Sequence, residues 1–147
     1  RLKEKGYIPI DKHILSATVS ERAGRWYVSI LVEEDIEIPV NNGGVVGVDL
    51  GVKKLATVSD GKVFENPKAL RMNERRLVRK QRSVSRKKKG SNNRRKAILE
   101  LQKIHKRISD IRSDHIHKVT SYLAKTKSVI GLEDLNVSGM LKNRRLS

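Results

Sequence analysis

The sequence predicts an α/β fold, in which a mixed sheet is interrupted by a helical hairpin and preceded by a separate β-hairpin. Short β-branched runs bounded by Gly, Asn and Asp indicate the strands. Between Ala97 and Leu123, apolar residues recur at steps of three and four, which is typical of a long amphipathic helix. Basic residues are concentrated in this same helical part of the chain.

The first predicted element is a β-hairpin. Residues 14–19 and 26–32 are strand-like, and residues 21–24 (ERAG) form the turn between them. Because two strands alone bury too little surface to be stable, residues 1–40 are predicted to be a piece of a larger β-rich domain, with Trp26 in its core. The Pro, Asn and Gly residues of segment 39–44 mark the boundary to a second domain, residues 41–147.

The second domain opens with strands at residues 45–50, 55–58 and 62–65, and Asp60-Gly61 provides a hairpin signal between the last two. The three strands are predicted to form an antiparallel meander. Asn66 and Pro67 then predict the start of a helix that runs to about Lys89 and ends at Gly90. With the amphipathic helix, it forms a helical insertion over residues 67–126, followed by a further strand that ends at Glu133.

Charge is distributed very unevenly along the chain. The 147 residues carry a net charge of +17, of which residues 68–107, with 17 Lys and Arg and two acids, contribute +15. Such a run is typical of contacts with a nucleic-acid backbone, although a solvated helix face is the alternative. Aromatic residues for base stacking are nearly absent there, which favours backbone or duplex contacts. The predicted nucleic-acid-binding residues are Arg75, Arg76, Arg79, Lys80, Arg82, Arg86, Lys87, Lys88, Lys89, Arg94, Arg95 and Lys96.

Composition excludes several other classes of protein. No apolar run approaches the roughly 20 residues of a membrane-spanning helix, and no secretory signal is recognisable. The absence of cysteine excludes disulfides and thiolate zinc sites within these residues. We therefore expect an intracellular protein, cytoplasmic and associated with the nucleoid.

Two acidic residues occupy equivalent sequence contexts. Asp49 lies in a β-branched run that we predict to be buried, and Glu133 follows a second such run; a glycine, Gly47 or Gly131, precedes each acid by two places. Since side chains alternate along a strand, each glycine shares a face with its acid and leaves open space beside it. Two carboxylates with free space suggest a site for Mg²⁺ or Mn²⁺. The alternative is a strand-end acid at Asp49 and a surface acid at Glu133.

The residues around these acids resemble a known family. Residues 47–53 (GVDLGVK) and 55–58 (LATV) resemble the first RuvC motif of the TnpB/OrfB proteins of insertion sequences, and residues 130–135 (IGLEDL) resemble the second. Segment 114–120 (DHIHKVT) is similar to a stretch between the two motifs, and residues 24–29 (GRWYVS) resemble the preceding β-barrel domain.

This resemblance implies an RNase H-like (RuvC) nuclease domain, preceded by the C-terminal piece of a wedge-type β-barrel domain. It implies a transposon-encoded, RNA-guided DNA endonuclease whose partners are a guide RNA and target DNA. Asp49 and Glu133 would be catalytic ligands of Mg²⁺ or Mn²⁺, and His117 and Lys118 would contact phosphate. The family's third catalytic Asp and its zinc ribbon, the only place for Zn²⁺, have no counterpart in these 147 residues, so we expect them to be incomplete for catalysis.

Two other functions remain open from the sequence. The G-x-D-L-G pattern around Asp49 also resembles the first phosphate loop of actin-like and Hsp70-like ATPases. Alternatively, the chain is a non-catalytic scaffold that binds nucleic acid. Near His117, we expect Asp110 and Asp114 to be salt-bridge partners and His115 to be a core histidine whose ring is hydrogen-bonded.

Overall fold

The computed structural model describes Gly6, residues 11–37 and residues 41–135, and within them it has a mixed α/β architecture. The elements are β1 (His13–Arg22), β2 (Arg25–Glu33), β3 (Gly44–Leu50), β4 (Lys54–Val58), β5 (Val63–Glu65), α1 (Ala69–Ser85), α2 (Asn92–Thr126) and β6 (Lys127–Leu132). The chain divides into two compact units, one of Arg1–Pro39 with Ala69–Asp110 and the other of Val40–Lys68 with Ile111–Ser147. The assignment of residues 1–40 and 41–147 to separate domains stays a prediction.

In the first unit, β1 and β2 form the predicted antiparallel hairpin. Its turn is tighter than predicted, because only Ala23 and Gly24 separate the paired residues Arg22 and Arg25. Both turn residues have positive φ, 53° and 76°, which matches the right-handed twist of the strands. The expectation that Trp26 lies in the core is wrong for the described residues, since 71% of its surface is exposed. Neighbouring Tyr27 points to the other face of the hairpin, and there its ring contacts Lys106 of α2 with Nζ 5.4 Å from the ring centre.

The helical hairpin is confirmed, but α1 is shorter than predicted at both ends. It begins at Ala69 because Lys68 has a positive φ of 44°, and Asn66 Oδ1 accepts a bond from the Lys68 N–H (2.8 Å) in a local turn. The helix ends at Ser85 rather than about Lys89. Ser91 then caps α2, where its Oγ accepts a bond from the Arg94 N–H at 3.2 Å. Neither helix combines the length and the apolar character needed to cross a membrane.

In the second unit, four strands form one sheet in the order β5-β4-β3-β6. Strands β3, β4 and β5 are antiparallel neighbours, which confirms the predicted meander, whereas β6 runs parallel to β3. One face of the sheet is the core, because Val46, Val48, Ala56 and Val58 are buried and cluster with apolar residues near the C-terminal end of α2. The helix residues of that cluster are Val119 and Leu123, with Tyr122 partly buried beside them. The opposite face of β3, which carries Asp49, is therefore left open.

A polar cluster ties the turn between β4 and β5 to the start of β6. Asp60 Oδ2 accepts hydrogen bonds from Lys127 Nζ at 2.6 Å and from the Tyr122 hydroxyl at 3.1 Å, while Asp60 Oδ1 accepts one from the Lys62 N–H. The side chains of Asp60 and Lys127 keep only 26% and 14% of their surfaces exposed, so solvent screens this pair less than an ordinary surface pair. The Lys127 ammonium lowers the pKa of Asp60, and Asp60 raises the pKa of Lys127.

We predict that Asp60→Asn lowers the Tm of the protein by a few degrees near neutral pH. Since the pKa of Asp60 is lowered from its ordinary 3.8, its contribution is present above that value and is lost as the pH falls through the lowered pKa. The contribution of Lys127, whose pKa is raised from 10.5, is present below that value and is lost as the pH rises through the raised pKa.

Thermal unfolding followed by circular dichroism at several pH values measures this effect. The difference in Tm between the two proteins should shrink in strong acid. Asp35→Asn is the control, because Asp35 forms no ion pair with any described residue. A Tm difference that is the same at every pH would show that the ion pair contributes nothing.

Candidate active site

Asp49 and Glu133 line one open groove on the exposed face of the second unit's sheet. The groove has a volume of about 490 Å³, and three strands and their ends contribute to it. Its lining residues are Gly47, Val48, Asp49, Thr57, Val58, Ser59, Gly131, Leu132 and Glu133. The prediction that the two acids lie together is thus met in this structure, while their catalytic role stays a prediction.

The register of β3 and β6 explains why the two acids meet. Gly47 pairs with Gly131 and Val48 pairs with Leu132, so Asp49 and Glu133 follow at equivalent positions on neighbouring parallel strands. Such strands lie about 4.8 Å apart, and residues at equivalent positions point to the same face. Two carboxylates placed in this way are close enough for a divalent cation to interact with both.

The two glycines leave the groove empty beside the acids. A Cβ built on Gly47 would meet no atom within 4 Å, and one built on Gly131 would come no closer than 3.7 Å, to the carbonyl oxygen of Val46. Packing therefore does not require glycine at either position, although a side chain there would occupy the groove. This agrees with the prediction of open space next to each acid.

The prediction that Asp49 lies in a buried strand is wrong for one of the two faces of β3. Val46 and Val48 keep only 5% and 3% of their surfaces exposed, but Asp49 belongs to the exposed set on the other face. The β-branched run fits both situations, because its alternate residues face opposite sides of the sheet. Asp49 therefore does not need a partner to offset burial.

The carboxylates of the groove are chemically suited to a divalent cation. No described residue forms a salt bridge with Asp49 or Glu133, so their oxygens are available to a ligand. Carboxylate oxygens are the ligands that Mg²⁺ and Mn²⁺ prefer. Within residues 11–37 and 41–135, however, no three His, Asp or Glu side chains cluster closely enough to hold a metal ion. The groove therefore provides two ligands of a cation site. Asp134, next to Glu133, does not line it.

Four of the predicted nucleic-acid-binding residues form one stripe in the first unit. Arg75, Arg79, Arg82 and Arg86 recur at steps of three and four along α1 and just beyond its end, and they line a groove of about 560 Å³. Glu74 and Val78 complete the lining of that groove. The helix thus presents a continuous basic face.

The remaining basic residues of the prediction surround this stripe or the turn between the two helices. Lys80 forms an ion pair with Glu100 of α2 at 3.7 Å, and Arg94 donates from Nη1 to the carbonyl oxygen of Lys87 at 3.4 Å. The others are exposed, namely Arg76, Lys88, Lys89, Arg95 and Lys96. The side chains of Lys80 and Arg94 are thus partly engaged within the protein, whereas Lys87 contributes its backbone carbonyl to this contact.

His117 and Lys118 lie on the second unit's part of α2, and both are exposed. Lys118 Nζ is 2.6 Å from Asp114 Oδ2, and this ammonium lowers the pKa of the Asp114 carboxyl. Since Asp110 pairs with Lys106 at 2.6 Å, both acids are salt-bridge partners, as predicted. Neither His117 nor Lys118 lines the groove that contains the acids.

Thr57 and Ser59 line the groove, although the sequence analysis did not select them. Thr57 pairs directly with Asp49 across β3 and β4, so the two side chains share one face of the sheet, and Ser59 directly follows the end of β4. The short connection between the two strands, residues 51–53, predicts that β3 and β4 are antiparallel neighbours, but it does not give their register. Counting outward from that loop would pair Asp49 with Leu55, whereas the pairing begins at Leu50 and Ala56 and places Thr57 opposite Asp49.

Comparison with known proteins places the chain in a family. The family model OrfB_IS605, described as "Probable transposase", matches residues 27–144. A protein of Escherichia coli (strain K12) named "Putative RNA-guided DNA endonuclease InsQ" is 44% identical over 131 residues, which cover 88% of this chain and 33% of that protein. A "Putative RNA-guided DNA endonuclease" of Streptomyces pristinaespiralis is 43% identical over 141 residues, 95% of this chain and 35% of that protein.

The chain spans about a third of the length of these two curated relatives. The match includes both acids of the groove and the basic helices, because it extends from residue 27 to residue 144. The chain therefore belongs to the TnpB/OrfB family of transposon-associated proteins, whose relatives here are named as endonucleases.

Proposed function

We propose that this chain forms part of an RNase H-like (RuvC-type), RNA-guided DNA endonuclease, and that the groove with Asp49 and Glu133 belongs to its active site. The observation that carries the proposal is the parallel register of β3 and β6, which brings the two carboxylates together on an open face. The printed names of the relatives support a guided nuclease. The activity and partners of the whole protein are part of the proposal, since the chain spans about a third of those relatives.

The two acids have different positions, and these suggest different roles. Asp49 lies on an inner strand with β4 on one side and β6 on the other, so its carboxylate would be the central ligand of the bound cations. Glu133 would hold a cation from one side and orient the attacking water. Mg²⁺ or Mn²⁺ bound there would neutralise charge on the phosphodiester and activate water for its hydrolysis. A third carboxylate, implied by the family resemblance, would complete the ligand set.

The basic helical hairpin would hold nucleic acid by its backbone. Its stripe of Arg75, Arg79, Arg82 and Arg86 presents guanidinium groups that are suited to phosphate oxygens. Such contacts position a strand but do not read its sequence. Pairing with a guide RNA would supply the sequence specificity, as in other guided nucleases.

We predict that Asp49→Asn and Glu133→Gln each lower DNA nicking by at least about 100-fold, because each removes a carboxylate ligand of the cations. Binding of nucleic acid should change little. The measurement is nicking of target DNA by the full-length protein with its guide RNA in Mg²⁺ or Mn²⁺. Asp134→Asn is the matched control, since Asp134 lies beside Glu133 but does not line the groove.

Equal nicking by wild type and Asp49→Asn would reject this active site. Binding without nicking in every variant, wild type included, would support the non-catalytic scaffold instead. Retention on immobilised ATP without nucleic-acid binding would favour the ATPase alternative.

A second prediction concerns the dependence of binding on salt. If Arg79 and Arg82 each contact a phosphate of duplex DNA, the double variant Arg79→Ala/Arg82→Ala should flatten the slope of log K against log salt concentration by about 1.8. Fluorescence anisotropy with a labelled duplex at several salt concentrations measures that slope. The control with the same change of charge is Arg22→Ala/Arg25→Ala, at the turn of the β1–β2 hairpin. A larger change of slope in the control would show that the phosphate contacts are not made by these arginines of α1.

A further inference from the structure

The wall of the groove formed by β4 carries two hydroxyl groups. Thr57 and Ser59 are two residues apart, so both point to the exposed face of the sheet, the face that carries Asp49. Thr57 pairs directly with Asp49 in the antiparallel register of β3 and β4. Side chains at such paired positions have Cβ atoms about 4.5 to 5.5 Å apart. Asp49 is therefore flanked by Glu133 on one side and by a neutral hydroxyl on the other.

The hydroxyl of Thr57 is available to a ligand. Within the part of the chain that the structure describes, this hydroxyl forms no hydrogen bond and is not a buried atom without a partner, so it is accessible from the groove that Thr57 lines. Since Thr57 is half-buried and β-branched in a strand, few rotamers are open to it.

Ser59 has a structural function in the same wall. Its Oγ accepts a hydrogen bond from the Gly47 N–H at 3.1 Å, and its own N–H donates to the carbonyl oxygen of Gly47 at 2.9 Å. These two bonds hold the end of β4 against β3 next to the acids. Among the described residues, none forms a comparable bond with the side chain of Thr57.

A phosphodiester in this groove faces an electrostatic problem. Two carboxylates repel a phosphate, so cations bound to them would be needed to offset that charge, and a phosphate oxygen that no cation contacts would still need a hydrogen-bond donor. A neutral donor beside Asp49 provides a hydrogen bond to another phosphate oxygen without adding negative charge. Of the residues that line the groove, Thr57 has the side-chain hydroxyl that is directly opposite Asp49, and no described residue bonds to that hydroxyl.

We propose that the Thr57 hydroxyl donates a hydrogen bond to a non-bridging phosphate oxygen of the nucleic-acid strand that lies in the groove, and so positions that strand over Asp49 and Glu133. This inference rests on the proposed function. It makes Thr57 a substrate-binding residue of the nuclease site, in addition to the arginines proposed on α1.

The test is the rate of single-turnover nicking by the full-length protein with its guide RNA. Thr57→Val keeps the shape and strand preference of threonine but removes the donor, and we expect a loss of about tenfold, the effect of one hydrogen bond to a charged group. Thr57→Ser, which restores the hydroxyl, should recover most of that loss. The control is Thr120→Val, the same change at an exposed threonine of α2 that does not line the groove.

Phosphorothioate DNA distinguishes a phosphate contact from a structural effect. Sulfur is a weaker hydrogen-bond acceptor than oxygen. In one of the two diastereomers at the scissile phosphate, sulfur replaces the oxygen that Thr57 would contact, so the wild-type protein should already lose that hydrogen bond. On that diastereomer, Thr57→Val should have little further effect, while on the other it should still cost about tenfold. An equal loss on both diastereomers would mean that the hydroxyl acts on the protein, for example by orienting Asp49, and would overturn the proposal.

The outcomes separate this inference from the function on which it rests. If Asp49→Asn nicks as well as wild type, the nuclease site itself is wrong. If Asp49→Asn is inactive and Thr57→Val nicks at the wild-type rate, the nuclease site stands and the role of Thr57 is rejected.

Discussion

The arrangement of the candidate site depends on one interaction, the parallel pairing of β3 with β6. These strands are separated by two helices in the sequence, and their hydrogen bonds place Gly47 opposite Gly131. If the register slipped by one residue, Glu133 would move to the opposite face of the sheet and away from Asp49. Burial of side chains on β6 does not oppose such a slip, because residues 128–132 are exposed. Contacts at the first residue of β6, the ion pair of Lys127 with Asp60 above all, hold the strand in the register that brings the acids together.

The Asp60 cluster stabilises the same arrangement from the other end of β6. Lys127 is the first residue of β6, and its ion pair with Asp60 joins that strand to the turn that follows β4. Asn41 adds a second connection, because its Nδ2 donates to the carbonyl oxygens of Ala124 and Lys127 at 2.7 and 2.8 Å. Polar contacts therefore anchor the strand where it enters the sheet, while its far end carries Glu133 and remains open to a ligand.

The two compact units have opposite electrostatic character at their candidate sites. The second unit offers a pair of carboxylates, and the first offers a stripe of arginines on α1. Carboxylates are suited to binding cations, and arginines are suited to binding phosphate. In the proposed nuclease, basic residues would hold the nucleic acid by its phosphate backbone. The acids, which on their own would repel that backbone, would act through bound cations. In the proposed site, Thr57 would provide a neutral donor directly opposite Asp49.

The sequence by itself determined the order and type of the elements, the concentration of charge in the helices, and the choice of Asp49 and Glu133 with a glycine beside each. These properties are local, since alternation, turn residues and charge runs are read within a few residues. Only the tertiary structure decided that the acids lie side by side on an exposed face and that Thr57 is opposite Asp49. It also decided that α1 begins after Lys68, which has a positive φ, and that Trp26 is exposed. Each of these depends on strand register or on which face packs against a helix, and such contacts join residues that the sequence keeps far apart.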